Sequence, residues 1–357
     1  MKITDVKAYA IRTEFRYPFV WRKGLPGSDT VQESTVLRIM TDEGMEGVCT
    51  IPRGQIAIDL IGRRIKDMLL GEDPFLKERI WHLMLELDRI EEFPIYMLGA
   101  VDIALWDLTA KASGLPLYRI LGGHTNKVSA YASTVTYDTI DQYLRIADQC
   151  LARGYKAIKL HAWGDVEADA KLAKALRKHV GEHIDLMYDG SAGFDLQQSI
   201  RLGKHLEEVG FLWYEEPMRE FNINNYRKLC RELTIPVLSA ETSDGCHYNA
   251  ADFIVQEAAD LIRTSTHYKG GITGALRIAH LADAFGMKAE IHGGGLPNLH
   301  LACAIPNNTA FEILVYAEPA VYAHEVDQDG CIAPPDVPGT GEQYDWNELE
   351  QHAFLKI

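Results

Sequence analysis

The sequence predicts an α/β fold in which an N-terminal α+β module precedes a (β/α)₈ barrel, and three observations support this prediction. From about residue 127 to 315, short apolar runs alternate with amphipathic helices, and such repeats require parallel strands. Polar residues close successive strands at intervals of 24 to 27 positions, about the length of one strand and helix. Eight strands can be counted, which is the number for a closed barrel.

Residues 1–125 show the pattern of the α+β module. The segments KITDVKAYAI and STVLRIMTDEGMEGVCTI resemble antiparallel strands, with TDEG as a turn inside the second segment. Residues 98–114 are apolar almost all round, as expected for a helix that is buried on several sides. Gly114 and Pro116 supply the end of this helix.

The predicted barrel spans residues 126–320, and residues 321–357 are expected to return to the N-terminal module. The eight predicted strands are VSAYAST, YKAIKLH, IDLMYD, FLWYEE, IPVLSAE, ADLIRTS, MKAEIH and AFEILV. An open, doubly wound sheet would also alternate strands with helices, but it would need a glycine-rich phosphate-binding turn after its first strand. The sequence there is YASTVTYDT, which favours the closed barrel.

Composition narrows the functional classes. The formal net charge of −15 argues against a nucleic-acid partner, because phosphate binding requires clustered lysine and arginine. No apolar run approaches the roughly 18 residues of a membrane span, and the first residues alternate like a strand rather than like a signal peptide. The six scattered cysteines are typical of reduced thiols. We therefore expect a cytoplasmic protein with a small-molecule substrate and no nucleic-acid or membrane partner.

Three acids, Asp189, Glu215 and Glu241, close successive barrel strands. The C-terminal ends of all barrel strands meet at one mouth, so we expect these side chains to converge there. Carboxylates packed together repel one another unless a cation compensates, and oxygen atoms are the ligands that Mg²⁺ prefers. The pattern therefore predicts a magnesium site. Lys159 and His161 lie on one face of the second strand by its two-residue period, and they point to the same mouth.

Several segments resemble the enolase superfamily, and within it the mandelate racemase and muconate lactonizing enzyme branch. GAVDIALWDLTAKASGLPLYRILGG resembles the capping-domain helix of that family and its exit into the barrel. KLH stands in place of a K-x-K motif, and YDGS, YEEP and SAET stand where the family has its three metal ligands. YKGGITGALRIAHLADAFGMKAEIHGGG resembles the stretch from strand six through the catalytic histidine of strand seven. The resemblance covers essentially the full length and implies an enolase-like modified TIM barrel with an N-terminal capping domain.

The resemblance also implies a chemistry. In this family, Mg²⁺ binds a carboxylate substrate while a base removes the proton on the α-carbon. Asp189, Glu215 and Glu241 would be the ligands of the ion. Glu216 would face away from the metal, although the sequence leaves open that the two neighbouring glutamates exchange places.

Four further residues acquire roles from the resemblance. Lys159 would hold the substrate carboxylate, and His161 would be the base on that face of the site. His292 would be the acid/base residue on the opposite face. Glu312, at the end of the last strand, resembles the acid that hydrogen-bonds the substrate carboxylate, and a purely structural role at the barrel end is the alternative.

Two departures from the family pattern bear on function: the first points to the reaction type, and the second to a divergent substrate or reduced activity. The strand-seven histidine of the family usually contacts an aspartate at the tip of strand six. Here that place is taken by Ser265, or by Thr266 if the register slips by one. Without that carboxylate, His292 should be a weaker base than its counterparts, which makes the two histidines unequal. The metal strand also reads DGS, where asparagine is common two places after the aspartate. An unequal pair favours a lyase that dehydrates a sugar acid, an aldonate or an aldarate, to a 2-keto-3-deoxy acid.

Substrate choice is expected to lie with the capping domain. Its loops at residues 15–28 and 50–55 would close the barrel mouth, and their cationic side chains suit a polyhydroxylated acid, including one with a second carboxylate. The candidate substrate contacts are Arg16, Arg22, Lys23, Arg53, Trp163 and Lys269, with Trp21 and His267 as further candidates.

Alternative functions remain open from the sequence. A racemase or epimerase, or a lactone cycloisomerase of the same superfamily, is the isomerase alternative. A barrel metal hydrolase would require paired histidine ligands such as H-x-H at the end of the first strand, and VSAYAST contains none. The non-enzymatic alternative is a degenerate member that binds Mg²⁺ and a sugar acid without turnover. Because barrels of this type often assemble, we expect a homo-oligomer.

Overall fold

A computed structural model describes residues 1–357 and contains two sheets. The strands are β1 (Ile3–Glu14), β2 (Val31–Thr41), β3 (Glu46–Ile51), β4 (Val128–Thr134), β5 (Ala157–His161), β6 (Asp185–Asp189), β7 (Trp213–Glu215), β8 (Val237–Ser239), β9 (Leu261–Thr264), β10 (Ala289–Ile291), β11 (Phe311–Val315), β12 (Cys331–Ile332) and β13 (Leu355–Lys356). The four-stranded antiparallel sheet has the order β13-β1-β2-β3, and β4 to β11 run parallel in the second sheet.

Fourteen α-helices accompany the sheets. They are α1 (Gln55–Leu60), α2 (Lys66–Leu69), α3 (Lys77–Leu85), α4 (Asp88–Glu91), α5 (Ile95–Ala112), α6 (Leu117–Ile120), α7 (Ile140–Ala152), α8 (Val166–Val180), α9 (Leu196–Glu208), α10 (Ile223–Glu232), α11 (Cys246–Val255), α12 (Gly271–Ala284), α13 (Leu296–Ala304) and α14 (Trp346–His352), and a π-helical turn at Ile61–Ile65 joins α1 to α2. None of these helices combines the length and apolarity that a membrane crossing requires.

The helix predicted at residues 98–114 is α5, which begins three residues earlier, directly after Pro94. It packs between the antiparallel sheet and the barrel, so its apolar residues face partners on several sides. Glycines allow α5 to lie close to the antiparallel sheet on one side and to the barrel on the other. A Cβ atom on Gly47 of β3 would lie 1.9 Å from the carbonyl oxygen of Ala104, and one on Gly99 of α5 would lie 2.9 Å from the backbone nitrogen of Gly271. The capping domain is therefore docked tightly against the barrel.

The barrel strands follow the order β11-β4-β5-β6-β7-β8-β9-β10. No strand ladder joins β10 to β11, and individual hydrogen bonds close this seam instead. The backbone nitrogen of Ala289 donates to the carbonyl oxygen of Asn307 at 2.9 Å, and that of Gly293 donates to the carboxylate of Glu312 at 2.8 Å. All eight predicted strands are present, and the predicted fold class, a nearly closed enolase-like barrel with an N-terminal capping domain, is confirmed.

The barrel interior has an apolar floor below a charged layer. The floor contains Tyr131, Met187, Trp213, Leu238 and Ala310. Asp189 and Glu215 lie two residues beyond Met187 and Trp213 on the same strands, and the two-residue period keeps them on the inner face. The acids therefore stand directly above the floor, at the C-terminal ends of the strands.

The outer helices begin at the residues their sequences specify. Thr139 and Gln142 form a capping box at the start of α7, and Asp195 and Gln198 form another at the start of α9. The buried faces of these helices join the inner strands in one large apolar cluster.

At the end of the chain, β13 pairs with β1, so the C-terminal segment lies against the antiparallel sheet. The division at residues 1–125, 126–320 and 321–357 stays a prediction.

Candidate active site

A cavity of about 300 Å³ opens at the C-terminal ends of the barrel strands. Its apolar wall includes Trp21 and Leu25 from the loop that follows β1, and Leu314 from β11. Its polar lining includes two histidines and four acids, which are His161, His292, Asp189, Glu216, Glu241 and Glu312. The cavity thus joins one loop of the capping domain to the ends of several barrel strands.

The register of the parallel strands brings the predicted residues together. His161 of β5 is the register partner of Asp189 of β6, which is in turn the partner of Glu215 of β7. Glu241 follows two residues after the end of β8. All four side chains are buried or nearly so.

Lys159 lies under the cavity, where three carboxylates compete for it. Its Nζ is 2.8 Å from Oε1 of Glu312, 2.9 Å from Oε2 of Glu215 and 3.2 Å from Oδ2 of Asp189. The side chain is fully buried and does not line the cavity. Lys159 is therefore a counter-charge to these acids, and its predicted contact with a substrate carboxylate stays a prediction.

Arg263 of β9 is a second buried cation in the same layer. Its Nε forms an ion pair with Glu215, and Nη2 donates to the hydroxyl of Tyr131 at 3.1 Å. Carboxylate oxygens of Glu241 and Glu312 lie 3.7 Å from the guanidinium. Arg263 was not predicted as a site residue. The period of the strand could have identified it, because Arg263 precedes Ser265 by two residues.

The charges in this layer do not balance. The layer holds four carboxylates and two permanently charged cations, namely Asp189, Glu215, Glu241, Glu312, Lys159 and Arg263. Two negative charges therefore remain when the histidines are neutral. Burial raises the pKa of Glu215 to about 7, in spite of the attraction of Arg263 and Lys159. A divalent cation would supply the missing charge and would keep this carboxylate ionised.

Ligand atoms are available for such a cation. Atoms of Glu215, Glu241 and His292 that could bind a metal all lie within 4.8 Å of one another. Oε2 of Glu241 is buried and has no hydrogen-bond partner, although Nδ1 of His292 is 3.0 Å away. Asp189 is held at the edge of this group by Lys159 and His161. The residues therefore fit a metal bound mainly by carboxylate oxygens.

His161 has a defined tautomer. Its Nδ1 lies 2.6 Å from the carbonyl oxygen of Thr134, which can only accept, so Nδ1 carries the hydrogen. Its Nε2 lies 3.0 Å from Oδ2 of Asp189. The ring of Trp21 covers the imidazole, with 4.6 Å between ring centroids. Nε2 is thus the nitrogen that can gain or lose a proton in the cavity.

His292 stands on the other side of the cavity, directly after β10. Burial lowers the pKa of His292, but the carboxylates of Glu241 and Glu312 together outweigh this effect and leave the pKa above its ordinary value. The ring of Tyr268 stacks on the imidazole at 5.2 Å. The hydroxyl of Ser265 accepts backbone hydrogens from His267 and Tyr268 at 3.2 and 3.4 Å. The residues of the strand-six loop therefore supply an aromatic face in place of a carboxylate.

Glu216 also lines the cavity, so both acids of the YEEP motif are turned toward the site. Glu215 points inward from β7. Glu216 follows it with φ of +35°, a left-handed conformation, and this turn brings its carboxylate to the wall, where Thr242 Oγ1 donates to it at 2.5 Å. That Glu216 faces away from the metal stays a prediction, and the structure adds that its carboxylate lines the cavity. The period of the strand could not reveal the turn, because the strand ends at Glu215.

The loop of residues 15–28 reaches the barrel mouth, but its arginines do not line the cavity. Arg16 lies on a separate groove beside Tyr316. The Nε of Arg22 donates to the carbonyl oxygen of Ser191 at 3.0 Å, so this guanidinium ties the loop to the chain that follows β6. Neither arginine therefore lines the cavity in which both were predicted to contact the substrate.

Three further candidates are also outside the cavity lining. Lys23 extends toward the ring of Trp163, with its Nζ 5.5 Å from the ring centre. The indole nitrogen of Trp163 donates to the carbonyl oxygen of Tyr137, so the side chain is a buried part of the barrel wall. Arg53 lies over Tyr96, 5.6 Å from its ring centre, in the capping domain.

Lys269 is fully buried and does not line the cavity. Its Nζ donates to the carbonyl oxygen of Ser243 at 2.5 Å and lies 3.2 Å from Ser243 Oγ. These contacts occupy the ammonium group within the protein. The sequence could not separate this arrangement from substrate binding, because the partner is mainly a backbone carbonyl.

Arg219 is a cavity residue that the sequence prediction missed. It is the only lysine or arginine in the lining, it is exposed, and it makes no ion pair or hydrogen bond with the protein. Its position four residues after the end of β7 carries no periodic signal.

Two family descriptions match this chain. Residues 142–348 match the family described as Enolase C-terminal domain-like, and residues 6–122 match the Mandelate racemase / muconate lactonizing enzyme, N-terminal domain. The chain belongs to the mandelate racemase and muconate lactonizing enzyme branch of the enolase superfamily. The predicted resemblance is thereby confirmed.

Individual members of the enolase superfamily are similar over most of the chain. The crystal structure of a D-glucarate dehydratase from Agrobacterium tumefaciens complexed with magnesium is 34% identical, with a TM-score of 0.89 and 99% coverage of both chains. The arabinonate dehydratase of Saccharolobus solfataricus is 28% identical over 303 residues, 80% of each chain. The 3,6-anhydro-alpha-L-galactonate cycloisomerase of Streptomyces coelicolor is 28% identical over 327 residues, 89% of this chain and 90% of the relative. These comparisons support the prediction of a hydro-lyase, and they include an isomerase.

Proposed function

We propose that the chain catalyses the Mg²⁺-dependent dehydration of a sugar acid to a 2-keto-3-deoxy acid. The observation that carries this proposal is the placement of His161 and His292 on opposite sides of one acidic cavity. Their strands, β5 and β10, are separated by four strands in one direction around the barrel and by two in the other. A substrate carbon held between them can lose a proton on one side while its neighbour loses hydroxide on the other.

The proposed metal ligands are Asp189, Glu215 and Glu241. When bound there, Mg²⁺ would stabilise the negative charge that develops on the substrate carboxylate as the α-proton leaves. Lys159 and Arg263 support the ligands from below, because each forms an ion pair with Glu215 in the fully buried layer. Their charges hold the carboxylates in place without entering the cavity.

His161 is the proposed base. The carbonyl oxygen of Thr134 holds the hydrogen on Nδ1, so Nε2 is left to accept the α-proton from the substrate. Trp21 covers one face of the ring and limits the directions from which water can approach. A fixed tautomer and a shielded ring are properties of a positioned general base.

His292 is the proposed acid. The bond between the β-carbon and its hydroxyl oxygen breaks, and a proton from the imidazole converts the departing hydroxide to water. The resulting enol gains a proton at the β-carbon and releases the proton of its C2 hydroxyl group to solvent, which gives the 2-keto-3-deoxy acid. Each imidazole has one carboxylate oxygen at 3.0 Å, from Asp189 for His161 and from Glu241 for His292. His292 has a second carboxylate, Glu312, at 3.7 Å, whereas the other nitrogen of His161 faces the carbonyl oxygen of Thr134, and these unequal surroundings favour elimination over racemisation.

Arg219 suggests the class of sugar acid. It is the only guanidinium in the cavity lining, and no carboxylate of the protein pairs with it. A second carboxylate at the far end of the substrate would complete this pair, since guanidinium and carboxylate form bidentate hydrogen bonds. We therefore propose an aldarate as the substrate, with its reacting end at the acidic cluster.

The experiment is a screen of aldonic and aldaric acids with Mg²⁺ in D₂O, followed by proton NMR. We expect loss of the α-proton signal and formation of a 2-keto-3-deoxy acid from at least one aldarate. An isomerised product with no dehydration would favour an epimerase or cycloisomerase. If no acid exchanges its α-proton, the chain is a binding protein and the proposed activity is wrong.

Arg219→Gln tests the substrate class separately. We expect this variant to lose kcat/KM on the aldarate by about 10- to 100-fold, corresponding to a charged hydrogen bond of about 1.5–3 kcal/mol. The aldonate of the same configuration is the matched control, and its slow turnover should change little. Equal losses on both acids would mean that Arg219 does not bind the second carboxylate.

A further inference from the structure

The backbone that carries Glu241 is irregular. β8 ends at Ser239, and Ala240 has φ of +70°, in the left-handed region that residues with side chains rarely adopt. Glu241 therefore extends from a segment that neither a strand ladder nor a helix holds in place. Some other group must fix residues 240–243, which we call the ligand loop.

Glu220 provides that group. Its Oε1 accepts the backbone hydrogens of Ala240 and Glu241, the second at 3.1 Å. Its Oε2 accepts those of Thr242 and Ser243 at 2.9 and 2.8 Å. One carboxylate thus receives four consecutive N–H groups, an arrangement in which backbone amides surround an anion.

These contacts separate Glu220 from the metal ligands. A carboxylate has about four lone-pair sites, and the four backbone donors fill them. Thr242 Oγ1 adds a longer contact at 3.4 Å. Glu220 is also buried and is not part of the cavity lining. It therefore has no remaining capacity to bind an ion or a substrate, and its contacts are all with the ligand loop.

Lys269 holds the other end of the same loop. Its Nζ donates to the carbonyl oxygen of Ser243 at 2.5 Å, while the backbone nitrogen of Ser243 donates to Glu220. Glu220 thus binds the backbone N–H group of Ser243, and Lys269 binds its carbonyl oxygen. This explains why a fully buried lysine lies so close to the cavity without lining it.

We infer that Glu220 is a positioning residue that fixes the ligand loop so that the carboxylate of Glu241 faces the metal site. The inference rests on the proposed function, in which Glu241 is a ligand of Mg²⁺. Orienting partners outside the ligand set typically change metal affinity by 10- to 100-fold.

The test is isothermal titration calorimetry of the full chain with MgCl₂, without substrate. In Glu220→Gln, one acceptor oxygen becomes an NH₂ group that faces backbone donors. We expect its affinity for Mg²⁺ to fall by at least about 10-fold. Glu220→Asp is the second variant, in case the glutamine variant does not fold. It keeps the charge but retracts the carboxylate by one methylene, and we expect a loss of Mg²⁺ affinity there too.

Glu207→Gln is the matched control. Glu207 of α9 accepts the backbone hydrogens of Thr234 and Ile235, just before β8, so it makes the same kind of contact at the opposite end of the same strand. We expect this variant to lower the melting temperature without changing Mg²⁺ affinity.

The outcomes separate the two proposals. Unchanged Mg²⁺ affinity in the folded Glu220 variants, or an equal loss in Glu207→Gln, would overturn the positioning role while leaving the proposed function standing. If the unaltered protein does not bind Mg²⁺, the proposed function fails and the inference fails with it.

Discussion

Asp102 provides a quantitative test of how the capping domain docks on the barrel. It lies on α5, is 3% exposed, and accepts hydrogen bonds from the backbone nitrogen and the hydroxyl of Thr273 at 2.8 and 2.6 Å. Thr273 belongs to the first turn of α12, so this contact joins the two domains. Burial raises the pKa of Asp102 from 3.8 to about 7. We predict that Asp102→Asn changes the pH dependence of stability.

The direction of the pKa shift of Asp102 determines whether stability rises or falls with pH. Between pH 3.8 and about 7, an unfolded chain has released the proton of Asp102 while the folded chain retains it, so stability is lost as the pH rises. The full difference corresponds to about 4 kcal/mol, of which about 2 to 3 kcal/mol falls between pH 5 and pH 8. Asparagine is never charged, so the Asp102→Asn variant does not lose this stability as the pH rises.

The assay is urea unfolding of both proteins at pH 5 and pH 8. Other titrating groups affect both proteins alike and cancel in the difference between them. We expect the free energy of unfolding of the unaltered protein, relative to Asp102→Asn, to fall by about 2 to 3 kcal/mol from pH 5 to pH 8. A relative stability that stays constant within about 0.5 kcal/mol would refute the assigned burial of this carboxyl group.

Three other substitutions test the site. Lys159→Met leaves three buried carboxylates without their shared cation, so in EDTA the free energy of unfolding should fall by about 3–5 kcal/mol. Mg²⁺ should restore part of this stability. Thermal unfolding that shows no loss of stability would contradict the contacts of Lys159. His292→Asn should keep α-proton exchange but lower dehydration by about 10²- to 10⁴-fold, measured by NMR and product formation; intact turnover would remove His292 from the mechanism. Trp21→Ala removes the ring over His161 and should lower kcat/KM by up to about 10-fold; Trp21→Phe, which retains an aromatic face, is the control.

The sequence was sufficient to predict the barrel and to predict that residues at its strand ends lie close together. Periodicity and spacing identify all eight strands, because each strand is a short apolar run and each helix carries one apolar face. The same rules bring His161, Asp189 and Glu215 to one mouth, since residues that end neighbouring parallel strands must be close together.

The sequence was insufficient wherever a side chain is held by backbone atoms or lies beyond a strand end. Lys269 and Arg22 bind carbonyl oxygens, and Glu220 binds four N–H groups, and none of these partners has a sequence signature. Glu216 turns into the cavity through a left-handed residue outside the regular strand. The three acids that surround Lys159 come from three different strands, so the number of acids that contact it becomes visible only in three dimensions.

The most direct test of the central claim is α-proton exchange of an aldarate in D₂O, compared between the unaltered protein and His161→Asn. We predict exchange by the unaltered protein with Mg²⁺, none after EDTA treatment, and none by the variant even though it still binds the ion. Exchange that persists in the variant, or without any divalent cation, would contradict the assignment of His161 as the base at a metal-assisted site.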